Sequence, residues 1–194
     1  MEGSRVTTSD EDVLVTQAKA GDHAAFEAIV LRYQRQIYGF VYRMMGNAED
    51  AYDLTQECFV RAYQNLPKTN ADLNISAWLH RIASNACLDV LRRRKRIRWM
   101  PWDSGTHEPM LGTHPSDDPE HLAVATETTS DVQKILNQMS ERNRLALVLR
   151  EYEGLSTHEI GEIMGVSRSA VKSILFRGRE EFRNLYVQEY GEGR

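Results

Sequence analysis

Apolar residues at Phe26, Ile29, Val30, Tyr33, Ile37, Phe40, Val41 and Met44 recur at spacings of three and four. That is the period of one face of an α-helix. Asp22 stands before the run as a cap, and Gly46-Asn47 breaks it. Upstream, Ser9 with Asp12 reads as a capping box for a short helix that Gly21 ends. A third helix is expected from about Ala48 to Leu66, with Ala51, Leu54, Cys58, Phe59 and Ala62 on its inner side and Pro67 as its stop. The polar stretch Lys68 to Asn74 reads as a loop, and a fourth helix begins near Ser76 with Trp78, Leu79, Ile82, Ala86 and Val90 facing a core.

Periodicity is lost over residues 99–126, where Pro101, Pro109, Pro115 and Pro119 lie. This segment is read as a flexible linker. Four more helices follow. Val132, Ile135, Leu136 and Met139 mark the first. Leu145, Val148, Leu149 and Tyr152 mark the second, between Ser140 and Gly154. Ser156 and Glu159 have capping-box spacing for a short helix ending at Gly165, and Ser167 caps a long one with Val171, Ile174, Leu175, Phe182 and Leu185 inside. No alternating strand pattern is sustained. The expected fold is all-α, two small helical bundles over 1–98 and 127–194 joined by the 99–126 tether.

Charge changes the picture by its placement. The 194 residues carry a formal net charge of -4, which alone says nothing of nucleic acid. Yet Arg92, Arg93, Arg94, Lys95, Arg96 and Arg98 form a nearly continuous basic block. The following stretch from Trp99 to Ser130 lacks Lys and Arg and holds Asp103, Glu108, Asp117, Asp118, Glu120 and Glu127. Cys58 and Cys87 fall on apolar helix faces and are expected as buried thiols. The polar, acidic start of the chain has no signal-peptide pattern, and no apolar run approaches the ~20 residues of a membrane span. A reducing, cytoplasmic location without membrane insertion is the expectation.

The most specific local pattern is Thr157 to Gly178. A helix-turn-helix needs a small residue where its helices approach, and Gly161 supplies it. It needs a residue tolerant of left-handed backbone in the turn, and Gly165 follows four positions later. Val171 and Ile174 are spaced to bury the second helix against the first. The outer face of that helix then carries Phe176 together with Arg168, Ser169, Lys172 and Ser173, placed for base edges, and Arg177 and Arg179, placed for phosphates.

These residues carry a family resemblance. The stretch Asp53-Leu-Thr-Gln-Glu-Cys-Phe-Val-Arg-Ala-Tyr, and the helix Ala77-Trp-Leu-His-Arg-Ile-Ala-Ser-Asn-Ala-Cys-Leu-Asp-Val-Leu-Arg-Arg, resemble region 2 of sigma-70 family factors. Leu155-Ser-Thr-His-Glu-Ile-Gly-Glu-Ile-Met-Gly-Val-Ser-Arg-Ser-Ala-Val-Lys-Ser is similar to region 4. The order and the short linker resemble the extracytoplasmic-function (ECF) group, which lacks a folded region 3.

The resemblance implies the roles. The polar face with Asp53, Gln56 and Glu57 would dock on the clamp helices of the largest subunit of core RNA polymerase, and region 4 would meet the flap of the second-largest. The loop with Lys68, Thr69, Asn70 and Asn74 would take a base of the promoter -10 element out of the stack. Arg81, Asn85 and the run Arg92, Arg93, Arg94, Lys95 and Arg96 would meet phosphates near it. The helix-turn-helix would read the -35 element. The acidic linker would thread the polymerase cleft in place of RNA. An anti-sigma factor is the expected inhibitor. Asp89 reads as a structural partner, and Trp78 as core.

Nothing in the chain argues for catalysis. There is no phosphate-cradling glycine loop, no HExxH and no nucleophile in a recognisable setting. His107, His114 and His121 recur in the linker but their spacing fixes no metal geometry. No catalytic residue, metal or cofactor is assigned. The competing reading is a stand-alone helix-turn-helix regulator, which should bind a palindrome as a dimer without polymerase.

Overall fold

The computed structural model describes residues 6–70, 73–99 and 130–191. The proline-rich acidic segment, and with it the linker reading and its three histidines, lies outside the described residues. Among the described residues there are eight α-helices, one 3-10 turn and no strand. In chain order they are α1 (Val6–Lys19), α2 (His23–Met45), α3 (Ala48–Asn65), α4 (Ile75–Trp99), α5 (Ser130–Gln138), α6 (Glu141–Glu151), α7 (Thr157–Met164) and α8 (Arg168–Tyr190).

Local chemistry sets these boundaries. Asp22 accepts hydrogen bonds from the Ala24 and Ala25 backbone N–H groups and starts α2. Gly46 closes it in the left-handed region (φ 80°), its N–H donating to the Tyr42 carbonyl. The Asn47 side chain accepts from Asp50 N–H at the head of α3. Two boundaries differ from the sequence reading. α1 begins at Val6, so Ser9 lies inside the helix and not at its cap. Pro67 does not stop α3 abruptly, because Leu66–Lys68 continues as a 3-10 turn in which Pro67 occupies an early position with no N–H to place.

The N-terminal bundle packs α2 between α1, α3 and α4. Ile29, Ile37, Phe40, Val41 and Met44 of α2 are buried against Leu54, Cys58 and Phe59 of α3 and Leu79, Ala83 and Cys87 of α4. A fully buried side chain the size of Phe40 contributes on the order of 2–3 kcal/mol. The expected thiols are indeed free and buried, and burial pushes Cys58 up to about 12. The C-terminal bundle wraps α8 on α5, α6 and α7 around Leu136, Leu145, Leu149, Ile160, Val171 and Ile174.

The two bundles do not stand apart as separate bodies. α2 and α4 lie directly against α5, α6 and α7, and the buried apolar residues of both bundles form one contiguous cluster. Part of this contact reads backbone. Gln133 Nε2 donates to the Arg43 carbonyl (3.3 Å) and Arg144 Nη1 to the Met44 carbonyl (2.5 Å). Both acceptors sit in the last turn of α2, where helix carbonyls lack internal partners.

Candidate nucleic-acid interface

The turn between α7 and α8 is built from paired caps. Ser156 Oγ accepts from Glu159 N–H (3.3 Å), and Glu159 Oε2 accepts from Ser156 N–H (2.8 Å). The Ser156 hydroxyl and amide, with help from Asn74, hold the Glu159 carboxyl below the usual carboxylate range. Gly165 closes α7 in the left-handed region (φ 65°), and Ser167 Oγ accepts from Ala170 N–H to open α8. At Gly161 a Cβ would meet the Val166 carbonyl oxygen at 2.8 Å, so only glycine allows this crossing. Val171 and Ile174 seal the pair from the α8 side, both fully buried.

The recognition face is exposed as expected over Arg168, Ser169, Lys172, Ser173 and Arg177. Two of its members are otherwise engaged. Ser173 Oγ donates back to the Ser169 carbonyl (3.2 Å), a habit of serine within helices. Arg179 Nη2 donates to Glu151 of α6 (2.8 Å) and so ties α8 to α6, while its side chain stays half exposed. Phe176, which the sequence also places on this outer face, is 68% exposed beside Lys172 and Arg177.

In the N-terminal bundle the structure sorts the loop residues. Asn74 caps α4, its Oδ1 accepting from Ala77 N–H (3.0 Å). Its Nδ2 donates to Glu159 Oε1 (3.0 Å). Thr69 Oγ1 donates to the Leu66 carbonyl (2.7 Å), and the Asn70 carbonyl accepts from Lys19 Nζ (2.5 Å). Lys68, Thr69, Asn70, Asn74 and Arg81 nonetheless line one open pocket of about 680 Å³. Trp78 packs against the core, as expected, and being only half-buried also lines this pocket. The opposite wall is formed by Glu159, Glu162 and Ile163 of α7. No local pattern could announce acidic residues from a segment so distant in sequence.

Further along α4, Asn85 is exposed, and Arg92, Arg93, Lys95 and Arg96 surround an open surface depression with Asp89. Asp89 pairs with Arg92 (3.5 Å), the partner role expected of it. Arg94 departs from the group, donating to Asp50 of α3 (2.6 Å). On α3, Asp53, Gln56 and Glu57 share one exposed face with Val60, and Glu57 pairs with Arg61 one turn on (2.5 Å). Among the described residues no cluster of acidic, histidine or cysteine side chains could hold a metal ion, and no helix is long and apolar enough to cross a membrane.

A charged exposed face on α3, a basic α4 and a helix-turn-helix thus stand in the order that two family models describe. Residues 29–97 match Sigma-70 region 2, and residues 129–182 match Sigma-70, region 4. The chain belongs to the ECF group of the sigma-70 family. The ECF RNA polymerase sigma factor SigW of Bacillus subtilis (strain 168) is 35% identical over 173 residues, covering 87% of this chain and 92% of SigW. The RNA polymerase sigma-H factor of Pseudomonas aeruginosa PAO1 is 35% identical over 182 residues, covering 90% and 93%. Among solved structures, CnrH in complex with the cytosolic domain of CnrY superposes with a TM-score of 0.64 at 26% identity, covering 90% of this chain and 96% of that one. The exposed basic residues of α4 and of α8 sit on different bundles of this ECF sigma factor.

Proposed function

We propose that this ECF sigma factor binds core RNA polymerase through α3 and directs initiation at promoters by reading a -10 element with the N-terminal bundle (1–98) and a -35 element with the C-terminal bundle (127–194). The observation that carries this reading is the helix-turn-helix, with its double caps and exposed Arg168, Ser169 and Lys172, in one chain with the α3 docking face. Asp53, Gln56 and Glu57 suit a basic helical partner such as the clamp helices. Lys68, Thr69 and Asn70 with Trp78 and Arg81 form a polar pocket with one aromatic wall, which fits an extruded base. Arg92, Arg93, Lys95 and Arg96 supply phosphate contacts next to it.

An apolar groove of about 620 Å³ between α5, α6 and α8, lined by Val132, Leu136, Leu147, Phe182 and Tyr186, suits an amphipathic helix from the polymerase flap. CnrH is solved in complex with the cytosolic domain of another protein, which supports an anti-sigma factor as a further partner here. The chain contributes binding energy, and core polymerase supplies the chemistry.

The test is run-off transcription with purified core polymerase, with and without this protein, on upstream fragments from its own genome. Discrete starts sharing -35 and -10 elements are expected. Absence of polymerase binding and of specific starts would move the stand-alone regulator to first place.

A further inference from the structure

The contact between the bundles contains a polar cluster that promoter reading does not use. Glu153, in the connection from α6 to α7, has a side chain only 3% exposed and reaches α2 and α4. Its Oε2 accepts from Gln36 Nε2 (3.0 Å) and stands 3.1 Å from His80 Nε2. Its other oxygen lies 4.0 Å from Arg43 Nη1, and Arg43 stacks on the Tyr152 ring at 4.1 Å. His80 has no exposed surface and presents its other nitrogen, Nδ1, to the Ser76 carbonyl at 2.8 Å. The ring edge-packs on Phe40 of α2.

The donor count decides what this arrangement holds. A carbonyl oxygen only accepts, so Nδ1 must donate to Ser76. An ionised carboxylate also only accepts, so Nε2 must donate to Glu153, or Glu153 must carry the proton and donate to Nε2. In either form the pair contains one proton more than a neutral imidazole beside a carboxylate. The proton belongs to the pair and not to one residue. Arg43 from α2 opposes that extra charge from the longer distance. The Ser76 carbonyl and the buried Glu153 oxygen oppose its loss, because without it two acceptors would face one donor in a dry site.

We propose that His80 and Glu153 form a proton-binding latch that clamps the C-terminal bundle onto the N-terminal one, with α7 seated over the Lys68–Asn74 pocket, so that acidification closes the chain and alkalinisation releases it. In the latched form Glu159 takes the Asn74 amide, and Glu162 shares the pocket mouth. Carboxylates there occupy the space and the polarity that nucleic acid would need. That consequence rests on the promoter reading above; the latch itself does not.

The experiment uses the full chain with fluorophores at Gln64→Cys and Asn184→Cys, both exposed and on different bundles. Cys58 and Cys87 are buried and stay unlabelled in the folded protein. Single-molecule energy transfer is followed from about pH 5.5 to about pH 8.5, the interval in which histidines titrate and carboxylates do not. The expected result is a short-distance population at low pH that gives way to longer distances, the closed-to-open ratio falling by up to about tenfold per pH unit for one linked proton.

A Glu153→Gln variant should stay closed throughout, because its amide donates to an unprotonated Nε2. This arm also separates the latch from His158, which is exposed on α7 beside Glu162 (3.6 Å). A wild-type distance that does not move with pH, or a Glu153→Gln chain that opens in step with wild type, overturns the latch. Neither result touches the sigma reading, which fails only in the transcription assay.

Discussion

Replacing Arg144 by methionine keeps the length and apolar stem of the side chain and removes the guanidinium. That group is buried and donates to three backbone carbonyls: Met44 at 2.5 Å, Asn137 at 3.1 Å and Met139 at 3.2 Å. The first lies in the last turn of α2 in the other bundle, where a cation also meets the negative end of the helix dipole. Hydrogen bonds from a charged donor are worth about 1.5–3 kcal/mol each, and a carbonyl left buried and unpaired costs about 1–3 kcal/mol. Against this stands the desolvation of the guanidinium, which methionine does not suffer; it cancels a large part of the gross sum. The expected net loss is about 3 kcal/mol. For a chain of this size that lowers Tm by roughly 6–12 °C. Thermal unfolding followed by far-ultraviolet circular dichroism measures it, with Arg144→Lys expected to fall between the two. A Tm within about 2 °C of wild type for Arg144→Met would show that these bonds carry no net stabilisation.

Three further outcomes follow from the site. Gly161→Ala gains up to about 1 kcal/mol of helix propensity but forces a methyl against the Val166 carbonyl, at about 1–3 kcal/mol for overpacking; urea denaturation should show a net loss and -35 duplex binding should weaken. The Glu159 carboxyl is held low by Ser156, so its contribution to the α7 cap is complete above the unfolded value of about 4.3 and disappears as pH falls through the lowered folded value; Glu159→Gln should flatten that part of the acid-stability curve. Arg177→Ala should lower the slope of log affinity against log salt for -35 duplex by about 0.9 with little change in sequence preference, whereas Arg168→Ala should relax preference at one position at a cost of about 1–3 kcal/mol. Electrophoretic titrations at several salt concentrations separate the two.

What was legible in the sequence was whatever one helix and its caps decide. The face running from Phe26 to Met44, the Ser156–Glu159 box and the Gly161–Gly165 spacing all appear where the pattern placed them. Local periodicity reports burial, and capping reports ends, because both act within a few residues. The misplacements are of another kind. Ser9 has cap chemistry, but the helix started earlier. Asn74 looked available for a base and is spent on an α4 N–H. Arg94 and Arg179 looked free for phosphate and are paired to Asp50 and Glu151 on neighbouring helices. A side chain's partner across the fold leaves no periodic trace. For the same reason the Glu153–His80 contact, between residues 73 apart in sequence, was invisible until the bundles were seen together.

The way the C-terminal bundle grips α2 bears on how freely such chains can be recombined. Gln133 and Arg144 take hold of the carbonyls of Arg43 and Met44. Every helix ends in such carbonyls, whatever its side chains. The neighbouring Gly46 leaves room where a Cβ would collide with Asn137. A surface that recognises a bare helix end and a missing methyl asks little of the sequence it meets, whereas the Glu153–His80 and Glu159–Asn74 contacts ask for particular side chains. Hybrid chains that take the N-terminal bundle from one relative and the C-terminal bundle from another should therefore seat their halves together where those pairs are kept. Exchange of promoter preference between relatives is then limited by a few side-chain pairs at the joint, and not by the helix end it grips.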